Sequence, residues 1–272
     1  MHFMRLRSLA LVALVCLAAA GFLVGSDEPT LNKEEMKQFL QTAKVINSRE
    51  IGTGVTSPWR LTLSDGKLTH DAAFQSVNES KSAMQLASGR IELGFRDSYR
   101  YNIAAFELAE LLGLDDMMPV TVERKWKGKT GALSWWINWK WDEGMRLKER
   151  LQPPDPNAWN KQMYKIWVFA QLVYDTDRNL GNVLITEDWK VWMIDFTRAF
   201  RLNPDLENPK NLARCERQLL EKLKLLDAAV VEQKTKGHLT KGEVQALMAR
   251  RDKILAHFQK LIAQKGEREV LY

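Results

Sequence analysis

Apolar positions along the chain switch between two periods, and the switches mark its elements. Met36, Phe39, Leu40 and Ala43 recur at helical spacing, which predicts an amphipathic helix over residues 32–46. Residues 52–77 alternate instead: Trp59-Arg60-Leu61-Thr62-Leu63, a Ser64-Asp65-Gly66-Lys67 turn and a run from Ala72 to Val77 predict a hairpin. Residues 78–89 carry neither period and read as a loop or a helical insertion. A helix follows over 101–114, closed by Gly113, and then a second hairpin, 120–124 with 131–137, around a Lys-Gly-Lys turn.

Pro153, Pro154 and Pro156 separate this strand-rich front, about residues 45–141, from a helical back, about 153–272. Asp155 before Pro156 is a capping side chain followed by a first-turn proline, so a helix is expected over 157–174. Two long amphipathic helices are expected over 211–233 and 241–264, the second opened by a Thr240/Glu243 capping box. The pattern is α+β, with no internal repeat.

The start of the chain has another character. Arg5 and Arg7 precede an apolar run from Leu9 to Val24 that passes Ala18 and Ala20, the layout of a signal peptide over residues 1–25. Cleavage near Ala20 or Gly21 is expected, with a retained membrane anchor as the alternative. Either places the protein outside the cytoplasm, secreted, periplasmic or held at a membrane by its N-terminal segment. The remaining 26–272 suffices for one core and hence one domain. With Cys16 removed, Cys215 has no cysteine to pair with.

Net charge is +6, or +4 without Arg5 and Arg7, too mild to suggest nucleic-acid binding. His70, His238 and His257 lack metal-ligand spacing, and Ser134 has no histidine beside it, so neither a zinc site nor a serine nucleophile is indicated. A monomer is expected.

The segment that carries chemistry is TDRNLGNVLITEDWKVWMIDFTRAF, residues 176–200: a polar loop, a short strand, a turn at Glu187-Asp188 and a second strand ending in Asp-Phe. Asn182 lies five residues after Asp177, and Asp195 thirteen after Asn182. Phosphoryl transfer needs a carboxylate beside the attacking hydroxyl and oxygen ligands for a divalent ion, and a loop followed by a hairpin would bring such groups together.

DRNLGN, an apolar strand and then IDF resemble the catalytic and metal-binding loops of atypical protein kinases: the phosphatidylinositol 3- and 4-kinases foremost, and also secretory-pathway kinases and bacterial toxin kinases. The resemblance implies a two-lobed kinase-like fold binding ATP with Mg²⁺ or Mn²⁺. It implies Asp177 as catalytic base, Asn182 and Asp195 as metal ligands and Arg178 as a loop brace. The acceptor, whether protein, lipid or sugar, is left open.

A front lobe of this kind also supplies a glycine turn over the phosphates, a strand lysine and a helix glutamate. Gly52 and Gly54 suit the turn, though an ordinary turn would read the same. Glu107 falls on the apolar face of its helix, where a carboxylate needs a partner, while the resemblance puts the helix glutamate at Asn102. Where the lysine is expected, after Ala73-Phe74, stands Gln75, which donates a hydrogen bond without charge. Trp135, Trp136 and Ile137 fall where the lobes would join, which makes Trp136 a candidate for stacking adenine, with core packing as the alternative. Arg198 and Arg201 suit phosphate, an acidic partner or plain salt bridges. Three functions follow: an ATP-dependent phosphotransferase, a pseudokinase that binds nucleotide without turnover, or an enzyme that transfers the AMP part.

Overall fold

A computed structural model describes residues 31–272 except 53–57, 86–88 and 90. The expected leader or anchor and Gly54 lie outside the described residues. Among those described, no helix is long and apolar enough to cross a membrane.

Helix α1 (Lys33–Thr42) starts in a capping box between Asn32 and Glu35. It stops four residues before the expected end, because Val45 and Ile46 belong to strand β1 (Lys44–Glu50). β-branched residues at a helix end are readily taken by a neighbouring sheet. β1 pairs with β2 (Trp59–Ser64), which pairs with β3 (Thr69–Gln75). The second expected hairpin, β6 (Thr121–Trp126) and β7 (Lys129–Trp135), completes an antiparallel sheet in the order β1-β2-β3-β7-β6.

Leu61, Leu63, Ala72, Phe74 and Leu133 bury one face of this sheet against Phe39 and Leu40 of α1 and Phe106 of α2 (Arg100–Leu112). Burying each such side chain contributes roughly 1.5–3 kcal/mol. α2 ends where Gly113 turns left-handed at φ +68° and a side chain would strike Lys222. The left-handed backbone favours glycine there, while the Lys222 ammonium, at the end of a flexible side chain, could move aside.

Within the segment expected as a loop or helical insertion, residues 78–85 are strand. They open a separate hairpin, β4 (Asn78–Gln85) with β5 (Ile91–Ser98). Its strands are mostly exposed and polar, so the alternation by which a half-buried strand is recognised is missing.

Behind the sheet, the short β8 (Trp141–Asp142) joins β9 (Val183–Ile185) and β10 (Val191–Met193) in a three-stranded sheet. α3 (Glu143–Lys148) and α4 (Pro156–Val173) precede the motif, and Asp155 caps α4 through the N–H groups of Asn157 and Ala158. The helix expected over 211–233 is two, α5 (Arg217–Leu225) and α6 (Ala228–Lys234), because Asp227 caps a new start through Ala229 and Val230 N–H. α7 (Lys241–Lys265) begins in the expected Thr240/Glu243 box, and α8 (Glu267–Val270) closes the chain.

Candidate active site

α4 ends at Tyr174 in the left-handed conformation, φ +49°, which turns the chain into the polar loop. Asp175 then folds inward. Its carboxylate, fully buried, accepts Asp177 N–H at 3.1 Å and Arg178 Nε at 2.7 Å. Arg178 also donates to the carbonyls of Asn182 and Ile194, both at 2.8 Å, and of Asp195 at 3.1 Å, with its guanidinium 4.2 Å from the Phe196 ring centre. One side chain thereby ties the Asp177 loop to both ends of the β9–β10 hairpin. That is the bracing expected of Arg178. A buried ion pair of this kind holds geometry only while all its donors are satisfied.

Around the brace the structure brings Asp177, Asn182 and Asp195 into one neighbourhood. Asn182, on the 3₁₀ turn Leu180–Asn182, donates Nδ2 to the Asp177 carbonyl at 2.9 Å. With Nδ2 thus engaged, the amide oxygen is the end that remains able to accept or to coordinate. Asp195 sits at φ +55°, a conformation an aspartate tolerates when its side chain bonds locally. Here Oδ1 accepts both the N–H and the hydroxyl of Thr197, at 3.3 and 3.0 Å. Burial pushes the Asp177 carboxyl above the ordinary range; Arg198 counteracts this, and the negative charge of Asp195 adds to it.

The exposed hairpin reaches this site, which the sequence reading missed. Ser98 N–H donates to the Thr197 carbonyl at 2.8 Å. Asp97 beside it has its carboxyl raised, first by burial and further by Asp195, against a hydrogen bond from Thr197. Glu92 of β5 receives Arg198 and Arg201, each at 2.8 Å, and Arg198 lies 3.7 Å from the Asp177 carboxylate. The two arginines are therefore salt-bridged, to a strand that polar composition concealed. Asp175 was also missed, although a second aspartate two residues before Asp177 was its signal.

In the front half, Gln75 Oε1 accepts Asn102 Nδ2 at 2.5 Å, and Asn102 Oδ1 accepts Phe196 N–H at 2.6 Å. Asn102 is the α2 residue that joins β3 to the Asp195-Phe196 turn. Glu107 is not brought to this junction. It lies near Lys234, Glu110 and Lys37, with Oε2 buried and unbonded, and burial pushes its carboxyl up to about 7. Gly52 sits in the β1–β2 connection, where Ile51 N–H donates to the Pro58 carbonyl at 2.8 Å. Trp136 follows β7, with the Arg60 guanidinium 4.1 Å above its ring.

The structure superposes on hydra Fam20, solved with sugar, at a TM-score of 0.64 over 88% of this chain and 91% of that one, with 16% identity. The Golgi casein kinase with Mn/ADP bound gives 0.62 over 88% and 78%, with 12% identity. The Helicobacter pylori proinflammatory kinase CtkA gives 0.50 over 82% and 97%, with 11% identity. The chain has a kinase-like fold. No family model matches the sequence, and no curated protein matches it either.

Among the described residues no three His, Cys, Asp or Glu side chains form a metal cluster by themselves. A carboxylate from Asp195 and a carboxamide oxygen from Asn182 nevertheless fit a hard cation that takes its remaining oxygens from phosphate and water, as Mg²⁺ does in kinase sites.

Proposed function

We propose that this protein is a nucleotide-dependent phosphotransferase of atypical kinase type, which uses ATP with Mg²⁺ or Mn²⁺ and acts outside the cytoplasm. The observation that carries the proposal is the Arg178 brace, which gathers the Asp177 loop, the Asn182 carbonyl and the Asp195 carbonyl around one guanidinium. The kinase-like fold supports it, as does the Mn/ADP held by the Golgi casein kinase. The apolar N-terminal run and the Golgi named for that kinase support the location.

In this reading Asp177 accepts the hydrogen bond of the acceptor hydroxyl and aligns its oxygen with the terminal phosphorus. The hydroxyl oxygen forms the new P–O bond as the bond to the leaving diphosphate breaks, and the proton passes to Asp177. Asn182 and Asp195 would hold the divalent ion, which when bound neutralises phosphate charge. The acceptor is a protein, lipid or sugar hydroxyl, and the sugar in the hydra Fam20 structure supports including carbohydrates.

Gln75 favours a second reading. With the neutral Gln75–Asn102 pair in place of a lysine–glutamate ion pair, the domain would bind nucleotide without turnover, as a pseudokinase. Losing one electrostatic donor from an active site typically lowers the rate about a hundred- to a thousandfold.

Metal-dependent ATP binding and ATP turnover, measured on the wild type and on Asp195→Ala, test both readings. Turnover and metal-dependent binding that disappear in Asp195→Ala support the phosphotransferase. Metal-dependent binding without turnover supports the pseudokinase. Identical, metal-independent behaviour of the two proteins removes both.

A further inference from the structure

The β4–β5 hairpin is a sheet of two strands: among the described residues, β4 and β5 pair with each other and with no third strand. Each therefore keeps one open edge, a row of main-chain N–H and C=O groups without strand partners. β4 guards its edge with Glu79 and Lys81, the kind of charge by which sheets discourage further pairing. β5 carries Ile91 and Leu93 instead, 64% and 78% exposed, while its Glu92 is engaged by Arg198 and Arg201.

A cavity of about 390 Å³ lies along β5, large enough for a ligand segment. Ile91, Glu92, Leu93 and Gly94 line it in unbroken succession. Neighbouring residues of a strand point to opposite faces, so a cavity against one face would touch every second residue. One lined by four in a row lies along the edge. Gly94, at φ +63°, leaves its main chain bare, and a side chain added there would meet nothing within 4 Å. A glycine inside a strand often marks where another backbone comes close.

The same strand is fixed to the candidate active site at two points. Ser98 N–H, at its end, donates to the Thr197 carbonyl at 2.8 Å, and Glu92 receives Arg198 and Arg201, each at 2.8 Å. Arg198 lies 3.7 Å from the Asp177 carboxylate, and Thr176, the residue before Asp177, is on the cavity wall with Arg201. Leu202, 61% exposed, extends the aliphatic rim on the other side. A chain lying along β5 is thus brought beside Asp177. An extended polypeptide repeats N–H and C=O groups at the strand's own spacing, roughly 3.3 Å per residue, which neither a sugar nor a lipid headgroup does. A lipid chain would meet the aliphatic rim and leave the strand's amides unpaired.

We propose that β5 is a docking edge for the acceptor, and that the acceptor is an extended polypeptide segment with an aliphatic side chain that meets Ile91, Leu93 and Leu202 close to its hydroxyl. The inference rests on the phosphotransferase reading above and deepens it by choosing among acceptor classes. Main-chain pairing along the edge supplies affinity, and the aliphatic rim supplies selectivity. Glu92 is a positioning residue: through Arg198 and Arg201 it holds the edge in place relative to Asp177.

The probe is a synthetic library of peptides about nine residues long, with a central serine and degenerate flanks, scored on the full chain for capture and, with ATP and Mn²⁺, for phosphate transfer. Methyl glycosides and phosphatidylinositol vesicles are the other acceptor arms. Phosphate is expected on peptides enriched in Leu, Ile or Val at one flanking position. The best of these should slow hydrogen exchange at residues 91–94. N-methylation of its alternate amides should weaken binding by up to about tenfold each, and N-methylation of the intervening amides should change little, because every second amide of an edge strand faces its partner. Leu93→Lys puts a charge on the rim at an exposed position, so the fold is retained; it should weaken the peptide by about tenfold or more and erase the aliphatic preference.

Transfer to a glycoside or to vesicles and to no peptide, protection away from β5, or equal effects of N-methylation at every position overturns the docking proposal and leaves the phosphotransferase reading standing. Protection of β5 that rises with protein concentration in the absence of peptide means that the edge pairs with a second copy, and also overturns it. Peptides that protect β5 in the alternating pattern yet never receive phosphate uphold the docking edge and overturn the phosphotransferase reading. If no peptide binds and no arm is phosphorylated, both fall together.

Discussion

Asn102 donates its side-chain amide to Gln75 Oε1 at 2.5 Å, so that two neutral side chains meet where the resemblance to kinases calls for a lysine and a glutamate. The two departures are one. A lysine opposite Asn102 would lack a counter-charge, and a glutamate opposite Gln75 would lack a cation. The pair keeps the mechanical link from β3 through α2 to the Phe196 N–H and discards its charge.

Because the departures are coupled, single reversions should fail. Gln75→Lys alone is expected to give no gain in ATP turnover, and Asn102→Glu alone should destabilise the fold by burying an unpaired carboxylate. The double variant Gln75→Lys/Asn102→Glu should recover stability and exceed both single variants in turnover by tenfold or more. A double-mutant cycle on denaturation midpoints and turnover measures the coupling, and strict additivity would contradict it.

Asn102→Ala removes both bonds and strands the buried Phe196 N–H. A loss of about 1–3 kcal/mol is expected, since an unsatisfied buried donor forfeits its full desolvation cost. Urea denaturation checks this, and a change below about 0.5 kcal/mol would show that water or the backbone compensates.

Arg178 and Asp175 form a buried pair with side chains 5% and 0% exposed. Arg178→Met leaves the Asp175 carboxylate without its cationic partner and the Ile194 and Asp195 carbonyls without their donor, while the Asn182 carbonyl keeps only Ile194 N–H. About 3–5 kcal/mol of stability should be lost, and metal-dependent nucleotide binding with it. Asp175→Asn/Arg178→Met, which removes both charges, should recover part of the stability and none of the binding, because the carbonyls remain unbraced.

Glu107 sets a dependence of stability on pH. Its folded carboxyl is pushed up to about 7 from an ordinary 4.5, with burial the main cause. The folded state therefore holds a proton that the unfolded chain releases, so the contribution is complete below about pH 4.5 and is lost as pH rises through 7. Glu107→Gln stays neutral throughout. It should match the wild type near pH 5 and be more stable at pH 8, by about 1 kcal/mol once solvent screening is allowed for. Thermal melts at the two pH values check the sign, and a variant less stable than the wild type at pH 8 would reverse the argument.

Much of the architecture was written in local chemistry. Helix starts at Asp155 and Thr240, the Gly113 stop, the strand pairs β2–β3 and β6–β7 and the apolar pair β9–β10 around its turn depend on side chains within a few residues of each other. Their periods and caps can therefore be read along the chain. The spacing of Asp177, Asn182 and Asp195 was legible for the same reason, since a loop and a tight hairpin constrain it.

What local chemistry leaves open is the partner of a polar residue. Asn102 and Glu107 lie five positions apart on one helix, and only the packing of α2 against β3 and the Phe196 turn selects Asn102 as the link. The β4–β5 hairpin was hidden because its strands bury too little to alternate, yet its Glu92 meets the two arginines beside Asp177. Periodicity and capping belong to the sequence because they act over one or two turns of chain. Which charges and amides meet across the molecule belongs to the tertiary structure, since those bonds join residues that the chain keeps far apart.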